Sequence, residues 1–210
     1  MIKILIADDH TIVRKGLKQI IAETTDMVVT DEACDGQEVL NKTRKDSFDM
    51  VLLDISMPGR TGLDILRELK AENPKLPVLV LSMYPEEQYA VRVLKAGASG
   101  YLTKESAPDE LIAAIRKVSM GKRYVTPSLA EKLAYDLQID SDKPLHENLS
   151  DREYQVMCMI ASGKTVGEIA GKLSLSAKTI STYRARILEK MKMKNNAEIT
   201  HYAIQNRLVA

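Results

Sequence analysis

The chain has no tryptophan, one phenylalanine (Phe48) and an aromatic share of only 4% across 210 residues. It has two cysteines, Cys34 and Cys158, far apart in sequence, which argues against a disulfide framework or a cysteine metal site and predicts reduced thiols in a cytoplasmic protein. No apolar run approaches the roughly 18–20 residues a membrane span needs. The start, Met1-Ile2-Lys3-Ile4-Leu5-Ile6, runs into Asp8-Asp9 without a small-residue cleavage site, so no secretory leader is expected. Three histidines, His10, His146 and His201, lie in unrelated stretches. His10 follows Asp8-Asp9, but no second imidazole is spaced to join it, which argues against a metal hydrolase.

Net charge is also nearly absent, at +1, but it is unevenly spread. Residues 1–121 carry 16 Lys+Arg against 19 Asp+Glu, and residues 122–147 carry 4 against 5. Residues 148–210 carry 10 against 5. A mildly acidic front and a basic back point to a polyanion as the partner of the back, with a solvated basic surface as the plainer alternative.

What is present in the front is a recurrence of short apolar runs: Ile4–Ala7, Val28–Ala33, Met50–Leu53, Val78–Leu81 and Gly100–Thr103. Between them lie apolar residues at helical spacing, such as Val13, Leu17, Ile20 and Ile21, or Leu111, Ile112, Ile115 and Val118. Five strands alternating with five helices predict an α/β fold, a doubly wound five-stranded parallel sheet covered on both faces. Ser106 reads as the cap of the fifth helix, with Pro108 in its first turn. Residues 122–147 read as a linker, with a possible helix over 127–137.

In such a sheet, ligands sit beyond the carboxyl ends of the strands, where strand order reverses. Asp8 and Asp9 follow the first strand and Asp54 ends the third. A like-charged pair about 4 Å apart costs on the order of 4 kcal/mol at an effective dielectric of about 20. Protons or a cation must offset that, and an all-oxygen, partly hydrated site suits Mg²⁺. Ser82 ends the fourth strand, and Lys104 follows the fifth. A nucleophilic carboxylate, a divalent cation, a hydroxyl and an ammonium are the parts that phosphoryl transfer uses.

The segments "ILIADDH", "VLLDISMPGRTG", "VLVLSMY" and "GASGYLTK" resemble the receiver domain of bacterial two-component response regulators, over residues 1–121. The resemblance implies a flavodoxin-like fold with Asp54 as phospho-acceptor. It implies Mg²⁺ held by Asp9, Asp54 and the backbone carbonyl of Ser56, with Asp8 alongside. It also implies that Lys104 and Ser82 contact the phosphoryl group, and that Tyr101 is an aromatic switch that swings inward as Ser82 moves. A plainer reading of Tyr101 is an edge-strand ring packed on the fourth helix. A Mg²⁺-dependent phosphatase acting on external substrates is disfavoured, because it would want a carboxylate two residues past the nucleophile. That position is Ser56.

The last third is helical. Ser150-Asp151-Arg152-Glu153 and Thr165-Val166-Gly167-Glu168 are capping boxes, and Asn195-Asn196-Ala197-Glu198 has the same spacing. These signals predict four helices, about 151–161, 166–173, 177–191 and 196–206. On the third, Ile180, Ile187 and Met191 share one face, with Ala177 and Leu188 at its edge. Lys178, Ser181, Thr182, Ala185 and Glu189 occupy the opposite side, flanked by Arg186. Short side chains let a helix sit deep in a major groove while Lys and Arg reach phosphates. Ser174-Leu175-Ser176 joins 166–173 to 177–191, the spacing of a helix-turn-helix with 177–191 as recognition helix.

Residues 148–210, "LSDREYQVMCMIASGKTVGEIAGKLSLSAKTISTYRARILEKM" onward, resemble the LuxR-type DNA-binding domain of NarL/FixJ-class response regulators. The resemblance implies base-edge contacts from Ser181, Thr182 and Ala185, phosphate contacts from Lys178, Thr179 and Arg186, and a dimer contact through the last helix. Several members carry Lys at the position of Ser181, and some at that of Ala185. Without them, DNA shape weighs more in recognition. The whole chain thus reads as a transcription regulator controlled by phosphorylation of Asp54 from a sensor histidine kinase. It is expected to be a homodimer on double-stranded DNA when phosphorylated, with no membrane partner. No enzymatic activity is expected beyond self-directed phosphotransfer and dephosphorylation.

Overall fold

The computed structural model describes residues 1–57, 60–106, 108–127, 129–131 and 144–209, without the side chains of residues 87 and 88. The chain divides into two compact units, Met1–Glu131 and Lys132–Ala210.

The first unit alternates strand and helix: β1 (Ile2–Ala7), α1 (Thr11–Ala22), β2 (Met27–Ala33), α2 (Gly36–Lys45), β3 (Met50–Asp54), α3 (Gly62–Glu72), β4 (Val78–Ser82), α4 (Glu86–Lys95), β5 (Gly100–Thr103) and α5 (Pro108–Ser119). The strands pair in parallel in the order β2-β1-β3-β4-β5. The order reverses between β1 and β3, the place where such folds bind ligands. Successive residues of a strand point to opposite faces, yet Ile4, Leu5 and Ile6 are all buried, as are Met50–Asp54 and Val78–Ser82. Both faces are therefore covered. Leu17 and Ile21 of α1 and Leu111, Ile115 and Val118 of α5 pack with Ile4, Ile6, Leu52, Leu79, Leu81 and Leu102 on one side. Each such side chain contributes about 1.5–3 kcal/mol by leaving water, so the strand ends are set by a rigid aliphatic sandwich.

Two glycines permit close approaches. A Cβ on Gly62 would lie 2.3 Å from Ile55 Cα and 2.9 Å from the Asp54 carbonyl oxygen, so only glycine lets α3 begin against the end of β3. A Cβ on Gly100 would meet Tyr124 at 2.9 Å.

That second contact moves a boundary. Tyr124, Thr126 and Leu129, read from sequence as part of a linker, pack within the first unit, which extends to Glu131. Tyr124 forms a bridge with Gly100, its amide donates to the Ser99 carbonyl at 2.8 Å, and its hydroxyl donates to Glu110 Oε1 at 3.0 Å. Thr126 Oγ1 donates to Glu86 Oε1 at 2.5 Å, and Leu129 is buried. Pro127 and residues 129–131 are helical; the remainder of the expected helix 127–137 lies outside the described residues. Pro108 does begin α5, and the position before it is likewise outside them.

The second unit holds a 3₁₀ turn (Leu145–Asn148), α6 (Asp151–Ala161), α7 (Val166–Leu173), α8 (Ala177–Lys190) and α9 (Asn196–Gln205). Ser150 and Thr165 each form the full reciprocal capping box with Glu153 and Glu168. Asn195 accepts from the Glu198 amide, but the Glu198 carboxylate turns to the Lys194 amide instead. Ser174, in the left-handed region at φ 53°, ends α7 and turns the chain into α8. Tyr154, Met157, Ile169, Ile180, Ile187, Met191 and Ile199 form the buried interior. His146 belongs to this unit: its Nδ1 lies 2.9 Å from the Tyr202 hydroxyl. Among the described residues no helix is long and apolar enough to cross a membrane.

Candidate functional sites

Four strand ends meet above the reversal point. Asp8 follows β1, Asp54 and Ser82 are the last residues of β3 and β4, and Lys104 follows β5. Lys104 Nζ lies 2.6 Å from Asp54 Oδ2 and 2.6 Å from Asp8 Oδ2, while the Lys104 amide donates to the Ser82 carbonyl. The Ser56 amide donates to Asp54 Oδ1 at 2.8 Å, and the His10 amide to Asp8 Oδ1 at 2.8 Å. Arg14 clamps the Asp8 carbonyl oxygen at 2.6 Å. Asp8, Asp54 and Ser82 are each at most 1% exposed.

The electrostatics follow from that burial. Loss of solvent pushes the Asp54 carboxyl up; Lys104 and the Ser56 amide oppose the shift, and the charge of Asp8 adds to it. Burial works against the Lys104 ammonium, but Asp54 and Asp8 outweigh it and hold the group protonated. With Asp9, three carboxylates face one ammonium, an excess of two negative charges.

A divalent cation matches that excess. One ligand atom from each of Asp8, Asp9, His10 and Asp54 lies within 4.8 Å of the others. Asp9 Oδ1 is shielded from solvent and accepts no well-directed hydrogen bond, with His10 Nδ1 2.9 Å away; Asp8 Oδ2 is shielded likewise and is met by the Lys104 ammonium at 2.6 Å. Buried oxygens in that condition are costly unless a cation uses them. The pocket is thus one in which a divalent metal fits.

Tyr101 is buried at 1% exposure, already inward. Its hydroxyl donates to the Tyr84 carbonyl at 2.7 Å, while the Tyr84 amide donates to Ser82 Oγ at 3.1 Å. Ser82 and Tyr101 therefore hold one residue of the β4–α4 loop from its two backbone ends. Burial pushes the Tyr101 hydroxyl above its ordinary range. A wide groove lined by Thr43, Phe48, Asp49, Asn73 and Pro77 opens at the opposite edge of the sheet; none of the strand-end residues lines it.

The second candidate site is the outer face of α8. Ile180, Ile187 and Met191 are buried, whereas Lys178, Ser181, Thr182, Ala185, Arg186 and Glu189 are exposed. Thr179 is half-buried, its hydroxyl 2.8 Å from that of the capping Ser176. The Ser181 and Thr182 hydroxyls donate back to the carbonyls of Ala177 and Lys178, which leaves a smooth face of methyls and lone pairs. Arg184, whose position a helical wheel leaves undefined, donates to Asn196 Oδ1 at 2.6 Å and ties α8 to the start of α9.

Sequence reasoning missed the Tyr124–Thr126 strap, the Arg14 clamp and the Arg184 tie. The strap and the Arg184 tie join residues in different elements, and the Arg14 clamp reaches back across the β1–α1 turn. The one local signal was Thr126-Pro127, a helix start whose hydroxyl also reaches Glu86.

Comparison with known proteins places both units in known families. Residues 4–116 match the family described as the response regulator receiver domain, and residues 147–203 match bacterial regulatory proteins of the luxR family. The chain is similar to the response regulator UvrY of Escherichia coli strain K12, 37% identical over 210 residues, covering 99% of this chain and 96% of the relative. It is 39% identical to the response regulator GacA of Pseudomonas protegens, covering 100% and 98%. Among solved structures it resembles RcsB from Salmonella enterica serovar Typhimurium bound to promoter rprA in the presence of phosphomimetic BeF3-, at a TM-score of 0.66 and 27% identity, covering 96% of this chain and 97% of that one.

Proposed function

This chain belongs to the NarL/FixJ class of two-component response regulators, phosphorylation-controlled transcription regulators, and from that membership we propose the following chemistry for its own residues. Asp54 takes a phosphoryl group from the phosphohistidine of a sensor kinase, or from a small acyl phosphate. An Asp54 carboxylate oxygen forms the new bond to phosphorus as the bond to the donor nitrogen or oxygen breaks, and the donor leaves with that electron pair. The observation that carries this reading is Lys104 Nζ, 2.6 Å from both Asp54 and Asp8: an ammonium stands beside the nucleophile, where equatorial oxygens would need it.

Asp9, Asp54 and the carbonyl of Ser56 would hold Mg²⁺, with Asp8 alongside. Bound there, the ion supplies charge neutralisation for the donor's phosphoryl oxygens. The Ser56 amide keeps one Asp54 oxygen engaged, which presents the other. The aspartyl phosphate carries roughly two negative charges, about one more than the carboxylate it replaces, and adds strong acceptors. Ser82 Oγ turns to donate to it and so drops the Tyr84 amide. The Tyr101 hydroxyl, bonded to the Tyr84 carbonyl, follows the loop, and the surface of α4 and β5 changes with it.

The basic second unit then binds double-stranded DNA as a homodimer in the cytoplasm. Ser181, Thr182 and Ala185 face the bases, and Lys178, Thr179 and Arg186 face phosphates. RcsB bound to promoter DNA in the presence of phosphomimetic BeF3- supports this reading. The chain turns over no external substrate in this account.

The test is phosphorylation by acetyl phosphate with Mg²⁺, read by intact mass, by oligomeric state and by duplex-DNA affinity. Wild type should gain one phosphoryl group, dimerise and bind DNA more tightly, and Asp54→Asn should do none of these. A variant that still gained the group and responded in full would overturn the assignment.

A further inference from the structure

The His10 side chain does no work for the helix it begins. It occupies the cap position of α1 at φ −86° and ψ 107°, yet its side chain makes no capping hydrogen bond. Instead the imidazole turns back over the carboxylates. Its Nδ1 lies 2.9 Å from Asp9 Oδ1 and 3.3 Å from Asp8 Oδ1. Lys104 touches Asp8 and Asp54 from one side, whereas His10 touches Asp9 and Asp8. The imidazole therefore stands next to Asp9, whose Oδ1 is shielded from solvent without a directed hydrogen bond.

We infer that His10 Nδ1 is a ligand of the divalent cation this pocket takes, and that it shifts the pocket's preference from Mg²⁺ toward first-row transition ions. The inference rests on the reading that the acidic pocket is a divalent-cation site. One ligand atom each from Asp8, Asp9, His10 and Asp54 lies within 4.8 Å of the others. Two ligands on opposite sides of an ion at roughly 2.0–2.2 Å are about 4.0–4.4 Å apart, so small closure brings Asp9, His10 and Asp54 onto one ion with Asp8 alongside. Mg²⁺ prefers oxygen donors and keeps several waters. Imidazole nitrogen adds affinity for Mn²⁺, and more for Co²⁺, along the usual order of divalent ions. Most of the His10 side chain remains in solvent, at 62% exposure, so the ring meets an ion with little desolvation cost and without repacking the core.

The experiment titrates metal-free full-length protein with Mg²⁺, Mn²⁺ and Co²⁺ by calorimetry and records ¹⁴N couplings to bound Mn²⁺ by pulsed electron paramagnetic resonance. His10→Asn, which keeps a good helix cap, and Asp9→Asn are the variants. Wild type should show a directly bound ¹⁴N that His10→Asn loses. The same variant should weaken Co²⁺ by about tenfold or more and Mg²⁺ by less than about twofold. Asp9→Asn should weaken all three ions. Wild-type Mn²⁺ without a ¹⁴N coupling, or equal Co²⁺ affinity in His10→Asn, would overturn the role of His10 while the oxygen site stands. Divalent binding that is absent, or unaffected by Asp9→Asn, would overturn the cation pocket and the inference with it.

Discussion

The receiver pocket and the outer face of α8 are built in opposite ways. In the pocket the functional groups are themselves buried: Asp8, Asp54, Ser82 and Lys104 sit at strand ends and are held by one another. On α8 the functional groups are exposed, and only what lies beneath them, Ile180, Ile187 and Met191, is buried. Chemistry and stability are therefore inseparable in the pocket, since a buried charge that loses its partner costs free energy at once. On α8 they separate, because a surface side chain can change its partner DNA without touching the core.

The sharpest consequence concerns Lys104. Lys104→Met keeps the apolar stem but leaves Asp8 and Asp54 without their cation. Breaking a buried pair in this way costs about 3–5 kcal/mol, to be read by urea unfolding at neutral pH. Mg²⁺ should recover more stability in this variant than in wild type, because the ion takes over the neutralisation. A loss under about 1 kcal/mol would mean that the pocket is wetter than its burial indicates.

Next comes a contrast within α8. Ile187→Ala should cost about 2–5 kcal/mol by opening the core of the second unit. Ala185→Ser, two residues away on the exposed face, should stay within about 0.5 kcal/mol while altering DNA binding. Equal stability losses for the two would erase the division between scaffold and reading face.

Acid titration separates two carboxyls, Asp54 and Glu153, by sign. Burial raises the Asp54 carboxyl in the folded chain, so the folded state binds that proton more tightly than the unfolded one. Stability then falls as pH rises from the ordinary carboxylate range through the raised value, and Asp54→Asn removes that fall and stabilises the protein at neutral pH. Glu153 is the reverse case. Burial disfavours its charge, but Lys190 at 2.6 Å and the Ser150 cap outweigh it and hold the carboxyl low. Its contribution is full above the unfolded carboxylate value and is lost as pH falls through the depressed one. Glu153→Gln should flatten the acid limb of the second unit, and Asp54→Asn should not, as read by hydrogen exchange resolved by residue.

The elements of both units were legible in the sequence because each rests on local pattern. Short apolar runs ending in Asp54 or Ser82 gave strands, and Ser150 with Glu153 gave a helix start that the structure reproduces reciprocally. Proximity across strands was legible only through topology: Asp8, Asp54 and Lys104 share a pocket because β1, β3 and β5 end at one edge of the sheet. What local pattern cannot carry is a contact whose partner is distant and individually unremarkable. Tyr124 reaches Glu110 and Ser99, which ties the start of the expected linker to the receiver. The Glu198 carboxylate selects the Lys194 amide over that of Asn195, a choice that spacing alone leaves open.

The smallest expected effect on folding is also the most direct test of the reading face. Lys178 is exposed on α8 one residue past its start, where it can reach a phosphate without entering a groove. Lys178→Ala should leave stability within about 0.5 kcal/mol and weaken duplex binding about equally for all sequences. The slope of log affinity against log salt should fall in magnitude by about one. Thr182→Ala removes a side chain from the same face but no charge. It should leave that slope unchanged and alter only the ranking of DNA sequences. If Lys178→Ala changed the ranking and Thr182→Ala changed the slope, α8 would be turned about its axis relative to the DNA, and phosphate and base contacts would have to be reassigned around it.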